Sequence, residues 1–423
     1  MDTSIEKPTW IKRLVLFMAS QTVSLLGSML VAYAIMWYVA LETLSGVSMM
    51  IFALCQFVPS LLLTPFAGVW ADRLNRKGLM IVADLGIAAV TLLMAVLFLF
   101  GIKDLWIIFV ITAVRAFGQT IHSPTVSAVY QQIVPEDKLV KVQGIAQGIQ
   151  STVQIALPAL AAVLLNFWSI EYIFFIDVIT AAIAVYMLIT IVKLPKHKAE
   201  LLHTSIDYFK DIKAGFKYIG NHKFLLSILI FSFIYMFMVA APSYLTYIQV
   251  ARVFGNEQWR LAILEIIFGV GLLSGSLLIS FFGGFKNRLI TFFVSYLIIG
   301  LGCAALGVPF SFWFYIIAWG VIGLFIGVSN PLFMGLIQEK VDPAFIGRVF
   351  SVIGLINALA MPLGIILFGP LSDTIDISLV ILGTGIAMVF ISIVPFFNKP
   401  LLKEGLGAEV KKSEIETTKA GME

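Results

Sequence analysis

The sequence predicts an all-α polytopic membrane protein, with twelve transmembrane helices arranged as two pseudo-symmetric six-helix bundles. Three observations predict it. Of the 423 residues 60% are hydrophobic and only 12% charged, and the mean hydropathy is +1.01, more apolar than a soluble core needs. The apolar residues gather in twelve runs of about twenty, the length at which a helix crosses a bilayer. Residue pairs also recur at one displacement, 207: Gly68 with Gly275, Pro124 with Pro331, Gln131 with Gln338, Val134 with Val341, Lys141 with Arg348 and Val142 with Val349. Any single pair would be chance; a shared displacement argues for a duplicated six-helix unit. Short segments of alternating polarity, the mark of an outer-membrane barrel, are absent, which leaves helices as the spanning structure.

Apolar windows and their polar interruptions place the spans. The first, 14–40, follows Lys7, Lys12 and Arg13, and the second, 46–70, runs into the basic turn GVWADRLNRK from Gly68 to Lys77. The third and fourth, 78–101 and 104–130, are parted by a short turn holding Lys103. The fifth, 144–166, starts after Lys138 and Lys141, and the sixth, 168–192, ends where a lysine-rich stretch begins at Lys193. The last six are 223–250, 260–282, 289–308, 312–336, 348–371 and 377–397, with Arg252 and Arg260, then Lys286 and Arg288, then Lys340 and Arg348 between them. Counted by side, 24 Lys and Arg share the face of the two termini and three lie opposite, Arg115 alone being inside a span. That bias puts both termini in the cytoplasm, and the chain is expected in the inner, cytoplasmic membrane. The start, MDTSIEKPTWIKR, does not lead into a short h-region with a small-residue cleavage site, so the first span is expected to direct insertion and be retained.

The bundles are expected over 1–192 and 223–397, joined by a cytoplasmic linker at 193–222. In the linker Ile206, Phe209, Ile212, Phe216 and Ile219 recur at helical spacing opposite Lys210, Lys213 and Lys217, with Ser205 as N-cap and Gly220 as stop. This reads as an amphipathic helix lying on the inner membrane face. From 398 to 423 the chain is polar, mixed in charge and aperiodic, which predicts a disordered cytoplasmic tail. The formal charge of +4 is accounted for by topology, so nucleic acid is not an expected partner. Cys55 and Cys303 lie in different spans without metal-ligand company, and neither a disulfide nor a metal is expected.

Within the spans, polar residues line up three or four apart. Ser20, Ser24 and Ser28 do so in the first, Gln56, Ser60 and Thr64 in the second, Thr112, Arg115, Gln119 and His122 in the fourth, and Gln147, Gln150 and Gln154 in the fifth. For a lone Ser or Thr an interhelical hydrogen bond explains the residue equally well. Three glutamines and an arginine favour a solute cavity. The second half is drier, offering Tyr235, Asn330 and Asn357 to that cavity beside Met238, Phe268 and Trp319. Such a wall suits an amphipathic solute, although an aromatic stripe also reads as packing.

An ionisable group in hydrocarbon costs roughly 2.5 to 3.5 kcal/mol, which makes Arg115, Asp177, Asp84 and Glu265 candidates for proton coupling. A carboxylate moved between wet and dry surroundings takes up and releases a proton. For Asp84 and Asp177 a structural ion pair with Arg115 or an inner-loop base is an equal reading, and for Glu265 hydration at the interface. His122 reads as a proton relay or as a neutral hydrogen-bonded ring.

GVWADRLNRK, with Gly68, Asp72, Arg73, Arg76 and Lys77 in register between the second and third spans, resembles the loop motif of the major facilitator superfamily of transporters. Asn75 stands where glycine is usual. RAFGQ from Arg115 resembles the fourth-helix motif of proton-coupled members, with Gly118 one place early, and Pro158, Ala161 and Ala162 are similar to the antiporter motif, with Leu157 in place of a glycine. Through these stretches and AVRAFGQTIHSP, IVPEDKL and IGRVFS, nearly the whole chain resembles the macrolide-efflux branch of bacterial drug exporters.

The resemblance implies a major facilitator fold that works by rocker-type alternating access and exports a macrolide-like or other amphipathic drug in exchange for protons. Its expected partners are the bilayer, protons and a small solute, with no cofactor, and the expected working unit is a monomer. The basic loop becomes a conformational latch in which Asp72, aligned with Ile279 in the second half, accepts from backbone donors near Gly347 and Arg348. Two alternatives stay open: export of an endogenous metabolite such as a siderophore, and a non-translocating sensor or scaffold, which counterflow of labelled substrate would separate. No nucleophile with base and orienter, phosphate-binding loop or metal spacing is present, so an enzyme is not expected.

Overall fold

Caps, prolines and hydropathy together set where each helix begins and ends. The computed structural model describes residues 9–192, 208–343 and 345–405. Its helices are α1 (Thr9–Thr43), α2 (Gly46–Arg73), α3 (Arg76–Leu99), α4 (Leu105–Ile133), α5 (Leu139–Phe167), α6 (Ile170–Thr190), α7 (Tyr208–Gly220) and α8 (Lys223–Phe254). They continue as α9 (Gln258–Phe282), α10 (Arg288–Leu306), α11 (Phe312–Lys340), α12 (Ile346–Thr374), α13 (Ile377–Ile393) and the short α14 (Lys399–Lys403). Twelve of these are long and apolar enough to cross a membrane, and this is a multi-pass membrane protein.

Several helices overrun their apolar windows. α4 extends to Ile133, where Val134 and Pro135 stop it, and α5 begins at Leu139 ahead of its apolar stretch. Backbone hydrogen bonding carries on past the hydrocarbon boundary until a cap or a proline intervenes. Asn75 shows why the basic turn departs from glycine: its side chain accepts from the Gly78 amide at 3.2 Å and caps α3. Asn287 caps α10 in the same way, and Ser311 caps α11.

The chain forms two compact units, and two of the boundaries fall inside helices, one near the start of α2 and one near the start of α9. The first comprises 9–43, 51–192 and 257–262, the second 44–50, 208–256 and 263–405. In the first unit α1 packs on α5 and α6, and α3 on α4 and α6. Phe17, Met80, Val129 and Leu188 bring α1, α3, α4 and α6 into one buried cluster. Gly27 permits the closest approach, because a Cβ there would stand 1.9 Å from Thr180 Oγ1 and 2.9 Å from Asp177 Cα. At one edge Lys103 meets Glu171 at 2.6 Å, tying the α3–α4 turn to the start of α6, and that hydrogen bond raises the Lys103 ammonium pKa.

In the second unit α10 packs between α11 and α13, and α8 against α12 and α13. Its centre is aromatic: Phe231 stacks with Tyr235 at 5.6 Å, and Phe292, Phe293 and Tyr296 close around them. Tyr235, expected in the solute cavity, is only 1% exposed and donates its hydroxyl to the Tyr296 carbonyl at 2.6 Å. It belongs to this core, because a ring surrounded by aromatic neighbours buries more apolar area than one facing a wet space.

Two further expectations change. The helix in the linker forms as α7, and part of its apolar face packs on the protein, with Ile219 buried and Phe216 left exposed. A Cβ at Gly215 would stand 2.7 Å from the Arg348 carbonyl, Tyr218 stacks on Phe345 at 4.5 Å, and its hydroxyl accepts from the Asp342 amide at 3.1 Å. α7 therefore docks on the start of α12, covering its own Ile219. Ser205 and Ile206, and the side chain of Phe209, lie outside the described residues. The tail prediction from 398 fails over its first eight residues. There Asn398 caps α14, Asn287 Nδ2 donates to the Leu402 carbonyl at 2.7 Å, and Lys340 pairs with Glu404 at 3.0 Å. Local polarity predicted disorder; hydrogen-bond partners distant in sequence supply order instead.

Candidate functional site

The serine and glutamine spacings of α1, α4 and α5 meet in the first unit around a cavity of about 370 Å³. Ser24 and Ser28 line it from α1, Gln119 and His122 from α4, Gln147 and Gln150 from α5. A second cavity of about 400 Å³ shares Leu25, Ser28 and Gln119 with the first. It extends past Gln56 and Arg115 and is walled by Met29, Ile35, Phe52 and Phe57. Thr120 donates to Ser60 at 2.9 Å and holds the α2 wall to α4. Spaces of this size hold drug-sized ligands, and a polar chamber beside an apolar one suits an amphipathic molecule.

Four of the five glutamines expected to face a solute line these cavities. Gln154, on α5, is exposed and lines neither. Asn330 and Asn357 are exposed on α11 and α12 in the second unit. α5 passes unbroken through Pro158, with Ala161 buried and Ala162 half-buried.

Along the cavities the helices bring buried charges into two separate groups. Arg115 Nη1 lies 2.5 Å from Asp177 Oδ2, and the same nitrogen donates to the Thr91 hydroxyl. Thr91 in turn donates to Asp177 Oδ2 at 3.1 Å, Ser28 donates to Asp177 Oδ1 at 3.2 Å, and Arg115 Nη2 reaches the Ser28 carbonyl at 3.2 Å. Both oxygens of Asp177 are occupied. The second group is Asp84, buried at 4% exposure, whose Oδ1 accepts from Ser24 at 3.2 Å and lies 3.3 Å from His122 Nε2. Asp84 Oδ2 has no hydrogen-bond partner among the described residues.

Glu265 stands in the second unit, half-buried, and accepts from the Tyr247 hydroxyl. Sequence reasoning missed Thr91, although it lies two turns from Asp84 on the buried face of α3. It also missed Asp373, which no local pattern marks. In the second unit Asp373 accepts from the Gly46 and Val47 amides at 2.8 and 2.9 Å, from Ser45 at 2.7 Å and from Arg252 at 2.9 Å. It supplies the start of α2 with the negative charge that a helix N-terminus favours. Arg252 also donates to the carbonyl of Leu44, the one non-glycine residue with positive φ among those described, at 48°.

In the basic turn Arg76 donates to the carbonyls of Ala71 and Ala128 at 3.0 and 2.9 Å, joining α2, α3 and α4. Lys77 donates to the Ile189 and Val192 carbonyls, both at 3.2 Å, where the dipole of α6 is negative. Arg73 is exposed, and the Asp72 side chain lies outside the described residues. A Cβ at Gly68 would meet nothing within 4 Å, so this position is not a close helix crossing.

The sequence profile of the Major Facilitator Superfamily matches residues 16–365. Macrolide efflux protein A of Streptococcus pyogenes is 31% identical over 384 residues, covering 90% of this chain and 95% of that protein. The staphyloferrin A transporter of Staphylococcus aureus is 24% identical over 401 residues, covering 92% and 96%. Among solved structures, nucleoside transporter NupG superposes with a TM-score of 0.65 at 16% identity, covering 91% of this chain and 97% of that one. At that identity the likeness concerns the fold.

Proposed function

The chain belongs to the major facilitator superfamily, and we propose that within it the protein exports macrolide-like or other amphipathic compounds across the cytoplasmic membrane in exchange for protons. The observation that carries the substrate class is the 31% identity to a macrolide efflux protein along 90% of the chain. The paired polar and apolar cavities support an amphipathic solute. Both termini are placed in the cytoplasm by the Lys and Arg bias, the protein works as a monomer by alternating access, and Gln56, Gln119, Gln147 and Gln150 contact the solute.

Vesicles containing the purified protein test this reading. Labelled erythromycin is expected to move against its gradient when protons flow the other way, and a protonophore is expected to stop it. Absence of gradient-dependent movement, with the protein correctly inserted, rejects proton-driven export. Export of an endogenous siderophore-like metabolite is a second reading, supported by the 24% identity to the staphyloferrin A transporter. It predicts that such a compound competes with erythromycin.

The turn from Gly68 to Lys77 serves in this cycle as a conformational latch switched by Asp72. Asp72→Asn is expected to insert normally, because the three cations that anchor the turn remain. Its transport rate is expected to fall at least about tenfold, as for loss of roughly 1.4 kcal/mol of bias between states. A normal rate would reduce the turn to an anchor.

A further inference from the structure

We propose that Asp84 and His122 together form the proton-binding site of the transport cycle; this rests on the proton-exchange reading above. Asp177 is poorly suited to the task. Its carboxylate is held by Arg115 at 2.5 Å and by the hydroxyls of Thr91 and Ser28, so both of its oxygens are already engaged.

Among the described residues Asp84 has no Lys or Arg as ion-pair partner. It is as buried as a core residue, and among the described residues one of its oxygens has no hydrogen-bond partner and the basic group in ion-pair range is His122 Nε2 at 3.3 Å. Imidazole is the side chain that changes charge near neutral pH. A buried carboxylate without compensation is costly, so protonation of His122 supplies the charge that Asp84 lacks.

The surroundings leave this pair in control of the cavity's charge. Of the helices packed on α3, α1 presents Ser24 to Asp84, α4 presents His122 and, two turns away, Arg115, and α6 presents Asp177, which is bound to that arginine. On α3 itself Arg76, two turns toward the helix start, is occupied by the Ala71 and Ala128 carbonyls. α5 faces His122 across the polar cavity with glutamines and no charged side chain. His122 and Ser24 line that cavity, and His122 and Tyr130 are its titratable lining residues. A proton from cavity water therefore bonds to a His122 ring nitrogen and gives imidazolium beside the Asp84 carboxylate. Release breaks the same N–H bond and returns the proton to water. Uptake adds one positive charge to the wall that the solute touches, which couples solute affinity to the proton.

Labelled erythromycin binding to purified wild type, Asp84→Asn and His122→Gln is measured across pH, together with proton release on binding in weakly buffered solution. The wild type is expected to change affinity by up to about tenfold per pH unit near the site's midpoint, the limit for one exchanged proton. Both variants are expected to vary by less than about twofold per unit and to release no proton. Gradient-driven transport in vesicles separates the two levels of the reading. No such transport by the wild type sinks proton exchange and the pair with it; transport that is present in the wild type and unchanged in both variants overturns the pair alone. The chain has four histidines, so the His122 ring resonance in labelled wild type is identified by its loss in His122→Gln. A ring that keeps one protonation state from about pH 5 to pH 9 overturns the proposal even where a variant does not fold.

Discussion

Arg115→Gln is expected to prevent assembly of a stable protein, and the same change combined with Asp177→Asn is expected to restore much of it. Asp177 is 1% exposed, and without the guanidinium its charge is left with the hydroxyls of Thr91 and Ser28. Breaking a buried pair from one side costs about 3–5 kcal/mol, a large share of the roughly 5–15 kcal/mol that holds a folded domain together. Removing both charges leaves two amides that satisfy each other, so the penalty shrinks. The measurement is the yield and melting temperature of detergent-purified protein for the two single variants and the double. If Arg115→Gln instead keeps the wild-type melting temperature and loses only gradient-driven transport, the arginine is a coupling residue, as its motif resemblance implied.

Gly275→Leu is expected to have an effect as large in the second unit. α9 and α11 cross through glycines: a Cβ at Gly275 would stand 1.8 Å from the Leu324 carbonyl oxygen, and one at Gly327 would stand 2.1 Å from that of Leu272. Small residues at four-residue spacing let two helix backbones touch. The obstructing atoms belong to helical peptide units and cannot rotate aside, so even alanine forces the helices apart. Overpacking costs about 1–3 kcal/mol where side chains can yield, and more is expected where backbone must. Gly354→Ala on α12 is the control, because a Cβ there meets open space. It is expected to be neutral or to stabilise by up to about 1 kcal/mol through helix propensity. A Gly275→Leu protein that purifies and melts like the wild type would show that the crossing is not as tight as described.

The two glycines also show where duplication misleads. Gly68 and Gly275 align at the displacement of 207, yet a Cβ at the first would meet nothing within 4 Å and one at the second would stand 1.8 Å from the Leu324 carbonyl oxygen. Positions that share the displacement do not share packing neighbours. Among the candidate residues, the glutamines recur at a period near 3.6, and Gln56, Gln119, Gln147 and Gln150 line the cavities whereas Gln154 does not. Tyr235 was misassigned because an aromatic residue has the same local signature in a core as at a greasy wall. The order of residues 398–405 was missed because it depends on Asn287 and Lys340.

Number, length and polarity of the spans were determined by the sequence alone, since each follows from local costs: moving side chains into hydrocarbon, and closing backbone hydrogen bonds within one segment. The charge partners were decided only by tertiary structure. Both acids lay within reach of the same reasoning, and nothing in the chain between Arg115 and Asp177, 62 residues apart, says that they meet. Helix packing sets that choice, because a carboxylate's charge is balanced by whichever group the neighbouring helix faces bring within a few ångströms. Here α6 brings Asp177 to the arginine, and α3 leaves Asp84 with a histidine.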